Sequence, residues 1–500
     1  MAKNVAATEG VLLAIDQGTS SSRAIAFKPD GTVLATEQQT FEQIYPASGW
    51  VEHDAEVIWA TVVSTTRAVM ERLRAQKQPV IALGLTNQRE TTVVWDRRSG
   101  IPLHNAIVWQ DRRTAAQCRK LAEQGHEAEV AEKTGLRLDP YFSATKLAWL
   151  LEHVPGLREL AKAGHVAFGT VDTFLIWRLT GGQLHVTDAT NASRTALYDI
   201  RSGRWDESLC AMFDIPMSCL PEVRDSAGDF GMTDVRVLGE SLPIRGVAGD
   251  QQAALIGQAC FLAGELKSTY GTGAFLVLNT GKQLVRSSNR MLSTIAYRLG
   301  GQITYALEGS ILSAGATIQW LRDGLGLVSR AHEVEALARS VADTGGVYLV
   351  PAFTGLGAPY WDPDARGALI GLTRGCGRGE IARAGLDSVT YQTRDLLDAM
   401  AADGIRPATL KVDGGMAQNG LFLQRLADIL DLPILRPAMA ESTAFGAACL
   451  AGLGSGTYSS LDEITRLWKS DARCVPQMDP GTREREIAGW REAVKRVRTS

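Results

Sequence analysis

Along the chain, apolar and polar positions first alternate as a pair of strands broken by a polar turn. Residues 12–27, LLAIDQGTSSSRAIAF, run from an apolar strand through Asp16 and a Gly-Thr-Ser turn into a second strand that alternates from Ala24 to Phe27. The pattern returns at residues 266–281, LKSTYGTGAFLVLNTG, with a Gly-Thr-Gly turn in the middle. Backbone amides in such turns point outward beside hydroxyl side chains, which suits an anion. Thr19, Ser20 and Ser21 form a cradle of this kind, and Asp16 at the strand end is placed to hold a hydrated metal ion. Two phosphate-type hairpins half a chain apart predict a duplicated nucleotide-binding enzyme.

Between and beyond the hairpins the period changes. Ile58, Val62, Val69 and Leu73 fall on one face of a helix that Asp54 caps, and VIALGLTNQ (80–88) is a buried strand running into the polar loop NQRETT. TTVVWD supplies a further strand, and the stretch 110–240 mixes helices (SATKLAWLLEHV, VDTFLIWRLTGG) with Gly-, Pro- and Asp-rich connections, packed on one side of the first domain. Residues 244–248 form a strand leading to a small-residue helix that Asp250 is suited to cap, with a domain boundary at 258–264. Later come the helix SAGATIQWLRD, a helix from Glu380 to Ala402 with Ile381, Val389, Leu396 and Met400 in register, and a βαβ unit. That unit, LKVDGG–NGLFLQRLADILD–LPILRP, is a right-handed parallel crossover of the type nucleotides favour.

Composition narrows the class. Five hundred residues imply at least two domains, and 45% hydrophobic with 21% charged residues describes an ordinary globular chain. A net charge of -3 offers no basic field for nucleic acid and no polybasic membrane anchor, and no apolar run is long enough to span a bilayer. Seven scattered cysteines without a C-x-x-C pair indicate neither a disulfide framework nor a thiolate zinc site, which fits a reducing cytoplasm. The seven histidines show no metal-ligand spacing, so magnesium carried in with a nucleotide is the expected ion.

Several residues bear chemistry, each with a plainer reading. Arg89 and Glu90 are either a solvated surface pair or, at a strand end, a donor and acceptor suited to a neutral polyol. Trp109 reads as a core or boundary tryptophan and Tyr141 as a loop aromatic. Asp250 is a helix cap or the carboxylate that accepts a hydroxyl proton during phosphoryl transfer to an alcohol. Asp413-Gly414-Gly415 is a turn with a helix cap or a nucleotide contact.

The segments LAIDQGTSSSRA, GLTNQRETT, VWQDRR, YFSATKLAWLL, TDATNASRTALYDI, AGDQQAALIGQACF, TYGTGAF, LEGS, AGATIQWLRD, PAFTGLGAPYWDP, TYQTRD and VDGGMAQN, in that order, resemble those of the FGGY carbohydrate kinases. NQRET, WQDRR and GDQQAALIGQ look like the glycerol-specific branch of that family. The resemblance implies an α/β fold of two duplicated actin-like (ribonuclease H-like) domains around a catalytic cleft. Its expected divisions are a flexible tail at 1–10, an N-terminal domain at 11–258 and a C-terminal, nucleotide-binding domain at 259–500. It implies ATP-dependent phosphorylation of glycerol to sn-glycerol 3-phosphate with ATP and Mg, in the cytoplasm, by a homo-oligomer (dimer or tetramer).

By position, Arg89, Glu90, Tyr141, Asp250 and Gln251 would contact glycerol, and Trp109 and Phe275 would wall its carbons. Asp250 would be the base and Asp16 would act through magnesium. Thr19, Ser20, Ser21 and Arg23 would meet phosphates, and Thr272, Gly315, Gln319, Gly415 and Asn419 match nucleotide positions. The alternatives are a xylulose or gluconate kinase of the same family, told apart by the substrate that releases ADP, and a non-catalytic actin- or chaperone-type ATPase, told apart by ATP turnover indifferent to polyols. Two control elements of relatives, a glycine-rich, arginine-bearing loop for a sugar bisphosphate and a phosphorylated histidine, are unmatched at VRVLGESLPIRG (235–246) and RDSAGDFGMTD.

Overall fold

The computed structural model describes residues 10–499. Except for Gly10, the expected tail at 1–10 lies outside the described residues. Five strands form the first sheet: β1 (Val11–Gln17), β2 (Ser21–Phe27), β3 (Val33–Thr40), β4 (Val80–Asn87) and β5 (Ile244–Gly249), in the order β5-β4-β1-β2-β3. β1, β4 and β5 are parallel, while β1-β2 and β2-β3 are antiparallel hairpins. Helix α1 (Ala55–Ala75) covers one face, its N-terminus held by the Asp54 carboxylate accepting from the Glu56 amide at 2.8 Å, with Ile58, Val62, Val69 and Leu73 all buried. Helix α2 (Asp250–Gly257) follows β5 directly.

The second sheet has seven strands: β6 (Leu266–Tyr270), β7 (Ala274–Gly281), β8 (Leu292–Leu299), β9 (Gln302–Ile311), β10 (Leu410–Asp413), β11 (Ile434–Pro437) and β12 (Ser470–Cys474), ordered β8-β9-β7-β6-β10-β11-β12. Within it, β9-β7-β6-β10-β11 repeats β3-β2-β1-β4-β5 strand for strand, with β6-β7 and β7-β9 antiparallel and β6-β10 and β10-β11 parallel. The duplication read from the two hairpins is therefore a duplication of whole sheets. Helices of the second half include α3 (Gly315–Asp323), α4 (Arg378–Ala402), α5 (Gly420–Leu430) and α6 (Ser442–Ser455).

The stretch between β4 and β5 builds a core of its own around Leu147, Leu150, Phe142 and Phe168. Strand 93–96 joins it to the sheet core by its period of two, since Val93 and Trp95 face the sheet side while Val94 faces the other. Across the two halves, α6 lies on the first sheet and crosses α2. A Cβ at Gly84 would come within 2.1 Å of the Ala447 carbonyl oxygen, and one at Gly446 within 1.8 Å of that of Ala253. Only glycine permits backbones to approach this closely.

One local expectation changes. Gly249, not Asp250, is the N-cap of α2, and the Asp250 carboxylate accepts from the next amide, Gln251, at 2.7 Å. As the first helical residue, Asp250 projects from the strand end instead of folding back over the helix.

Candidate active site

Parallel sheets present their ligand-facing residues at the carboxyl ends of their strands. Here Asp16 is the last residue but one of β1, β4 runs into Arg89 and Glu90, and Asp250 follows directly on β5. The register pairs Gln17 with Asn87 and Asn87 with Gly249, so the three strand ends are level.

A tight turn brings two consecutive charged residues into one cleft. Glu90 adopts φ 60°, and the Thr91 amide donates to the Arg89 carbonyl at 2.7 Å across it. A left-handed glutamate costs roughly 1–3 kcal/mol and persists only where its surroundings fix it. Hydroxyls of Ser143 and Thr92 bond the Glu90 carbonyl at 2.9 and 3.1 Å. Both side chains are nearly fully buried, which removes the surface ion-pair reading.

Arg89 Nε lies 3.2 Å from Asp250 Oδ1, and Arg89 Nη2 is 3.4 Å from the Tyr141 hydroxyl. Trp109 packs edge-on to Tyr141 and to Phe275, with ring centroids 5.7 and 6.0 Å apart, and the Arg89 guanidinium lies 5.9 Å from the centre of the Phe275 ring. Trp109 is a boundary tryptophan packed against a core cluster and Tyr141 stands in a turn, and the two rings lie beside Arg89 and Phe275. Gly249 makes room for the arginine stem, since a Cβ there would fall 2.7 Å from Arg89 Cγ and Cδ.

Burial pushes the Asp250 carboxyl up from its ordinary value, against the opposing pull of Arg89 and Lys267. A carboxylate raised in this way, still partly open to the cleft, is suited to accept a proton. Gln251, beside it, accepts from buried Lys267 Nζ at 2.5 Å, and burial lowers the Lys267 ammonium to about 8. Asp16 is raised to about 6, first by burial and further by Asp250 and Glu441, with Arg23 opposing.

On the phosphate side, the Gly18 amide closes the first turn onto the Ser21 carbonyl at 2.9 Å, and no hydrogen bond within the described residues engages the Thr19 or Ser20 amides. The Thr19 hydroxyl accepts from Trp109 Nε1 at 2.9 Å, which ties the aromatic wall to the turn. Arg23 is paired with Glu441 at the start of α6, across the cleft. The second turn is clamped to α3: Thr272 carbonyl accepts from Ala314 and Ala316 amides, both at 3.0 Å, and a Cβ at Gly315 would reach Gly271 O at 2.5 Å. Gln319, one helical turn past Gly315, shares its face. Gly414 takes φ 89° with Tyr270 O where its Cβ would be, which sets exposed Gly415 beside this turn. Asn419 Oδ1 caps α5 through the Phe422 amide at 2.9 Å. Thr272, Gly315 and Gly415 are thus gathered around one pair of turns.

Four residues given no role by the sequence also stand here: Arg194, Gln252, Lys267 and Glu308. Arg194 Nε bonds Glu90 Oε1 at 2.6 Å, Arg194 Nη2 bonds Glu308 Oε1 at 2.8 Å, and Glu308 also holds Arg89. Signals existed, since Arg194 lies in TDATNASRTALYDI and Glu308 in LEGS. Two cavities of about 720 and 510 Å³ lie elsewhere in the second half; in the larger, Arg425 is already paired with Asp387 and Glu486.

A duplicated sheet pair with charged residues level at its strand ends defines a phosphotransferase-type cleft of the actin-like class. Residues 11–257 match the N-terminal domain, and residues 266–455 the C-terminal domain, of the FGGY family of carbohydrate kinases. The chain belongs to that family. It is 58% identical over 488 residues to a glycerol kinase of Rhodospirillum centenum, covering 98% of each chain. With glycerol kinase 1 of Pseudomonas aeruginosa it shares 57% over 488 residues, covering 98% of this chain and 99% of that one. A crystal structure of Plasmodium falciparum glycerol kinase with ADP superposes with a TM-score of 0.92 at 37% identity, covering 98% of both chains. A gluconate kinase from Lactobacillus acidophilus shares the fold, with TM-score 0.88 at 21% identity. Among the described residues no helix is long and apolar enough to cross a membrane.

Proposed function

We propose that this chain transfers the γ-phosphoryl group of ATP to a terminal hydroxyl of glycerol, giving sn-glycerol 3-phosphate and ADP. The observation that carries the reading is the acceptor pocket, in which Arg89, Glu90 and Tyr141 offer polar contacts to small hydroxyls while Trp109 and Phe275 face an apolar edge. Glycerol has three hydroxyls and one short carbon chain, and paired charged groups with aromatic walls match that shape. High identity to glycerol kinases over nearly the whole chain supports the same substrate.

In this reading Arg89, Glu90 and Gln251 orient glycerol so that one hydroxyl points at the γ-phosphorus. Asp250 Oδ takes the proton of that hydroxyl as the new O–P bond forms and the bond to ADP breaks. Thr19, Ser20 and Ser21 on one turn, and Thr272 and Gly315 on the other, hold phosphates through amides and hydroxyls. Magnesium fits the donor set: one partly exposed carboxylate, Asp16, stands beside the phosphate turn, and no cluster of three ligating side chains occurs among the described residues. Such an ion keeps its waters and phosphate oxygens and, when bound, supplies positive charge to the transferring group. Trp109 and Phe275 exclude water, which limits loss of ATP to hydrolysis.

The test is ADP release measured with glycerol, xylulose and gluconate in parallel. Glycerol should give the highest kcat/KM, and preference for the ketose or the sugar acid would overturn the reading.

A further inference from the structure

The residues that would grip glycerol are themselves held from the opposite half of the molecule. Glu90, Arg194, Glu308, Arg89 and Asp250 form a chain of alternating charge, linked at 2.6, 2.8, 2.5 and 3.2 Å. Four of the five lie in the first half of the sequence, and Glu308, the middle member, comes from β9 in the second sheet. It is 0% exposed, and against the cost of its burial Arg194 and Arg89 hold its carboxyl down at about 2. We propose that Glu308 is a positioning residue for the acceptor pocket, holding Arg89 directly and Glu90 through Arg194. The inference rests on the glycerol kinase reading and deepens it.

Glu308 occupies two of the donors on Arg89. A guanidinium has five N–H groups in a rigid fork. Glu308 takes one from Nη1 at 2.5 Å and one from Nη2 at 3.1 Å, Gln252 takes the other on Nη1 at 3.3 Å, and Nε faces Asp250. The remaining hydrogen on Nη2 points toward Tyr141, into the acceptor pocket. A two-point grip on the fork therefore fixes the direction of the donor that Tyr141 accepts at the pocket. Arg194 is held by one bond to Glu308 through Nη2 and one to Glu90 through Nε, its guanidinium lying over the Tyr141 and Phe142 rings at 5.6 and 5.4 Å.

The placement of Glu308 also links the two substrates. β9 pairs with β7, with Val277 opposite Glu308 and Phe275 opposite Ser310. The same two strands lead into Thr272 and Gly315 at the nucleotide turns. One sheet therefore carries Phe275 of the pocket's wall, its central carboxylate and the second of the two turns.

The full-length Glu308→Gln variant tests this, with Arg194→Lys as a second variant that keeps its charge but lacks the fork needed to span Glu90 and Glu308. The readouts are KM for glycerol, KM for ATP, kcat, the slow ATP hydrolysis without glycerol, and the thermal midpoint. In both variants KM for glycerol should rise by about tenfold or more, while KM for ATP stays within about twofold and glycerol-independent hydrolysis persists. A KM for glycerol within about twofold of wild type overturns the proposal, as does a matched rise of both KM values with loss of the basal hydrolysis, which marks a merely structural role. If Glu308→Gln does not fold, Arg194→Lys decides by the same criteria. A wild-type enzyme that prefers another polyol refutes the glycerol reading instead, and the variants are then judged on the KM for that polyol.

Discussion

Replacing Gly446 with alanine puts one methyl group where the two halves of the molecule cross. The added Cβ would lie 1.8 Å from the Ala253 carbonyl oxygen, 2.6 Å from its carbon and 3.0 Å from the Gly257 nitrogen. Backbone atoms, not a movable side chain, occupy that space, so a helix must shift by more than 1 Å to restore a contact of about 3.2 Å. α6 cannot retreat, because its other face is equally close to the first sheet: Cβ atoms at Gly84 and Gly246 would lie 2.1 Å from Ala447 O and 2.3 Å from Ala451 N. The only relief is for α6 and α2 to part. Overpacking of this kind costs about 3 kcal/mol, the upper part of its usual range, and the better helix propensity of alanine returns about 1 kcal/mol. A net loss of about 2 kcal/mol lowers the midpoint of a domain this size by about 4–8 °C. Since α2 begins at Asp250, the same displacement moves the proposed base, and a misplacement near 1 Å costs about 100-fold in rate. Differential scanning fluorimetry and the ADP-release assay on Gly446→Ala measure both effects. A variant with wild-type midpoint and wild-type kcat would refute the claim that this crossing fixes the site.

Three further outcomes are expected. Asp250→Asn keeps the acceptor for the Gln251 amide but cannot take a proton, so kcat should fall by at least about 100-fold with a much smaller change in KM for glycerol; near-normal turnover in steady-state kinetics would remove Asp250 from the role of base. Trp109→Phe retains an aromatic wall and deletes only the bond to Thr19, worth about 1 kcal/mol, so kcat/KM should drop about fivefold; an unchanged value would show that the wall and the phosphate turn are independent. Asp395, bonded by Trp490 Nε1 at 2.8 Å, is raised to about 7 by burial from an ordinary 3.8, so the folded state binds more protons than the unfolded one and its stability falls as pH climbs between those two values. Asp395→Asn should therefore shrink the loss of thermal midpoint between pH 5 and 8, part of which belongs to Asp172, raised to about 7 by its own burial.

Local pattern alone determined the elements. Two strand-turn-strand hairpins, the α1 face and the β10-α5-β11 crossover were all legible because apolar period, turn residues and caps act within a few positions of each other. Asp16, Arg89, Glu90 and Asp250 were legible as strand-end residues for the same reason. The cap at α2 was misjudged by one residue, since Gly249 and Asp250 are both acceptable caps and only the exit direction of β5 chooses between them. What the tertiary structure decided is which charges meet. Arg89 finds Glu308 across 219 residues, Arg194 finds Glu90 across 104, and Trp109 finds Thr19 across 90. No periodicity spans such separations; the last two form only when the first half has folded, and the Arg89–Glu308 contact only once two sheets have closed over α2 and α6. The buried Arg89 and Arg194 guanidinia and the Glu308 carboxylate are then tolerated because they meet across the two halves.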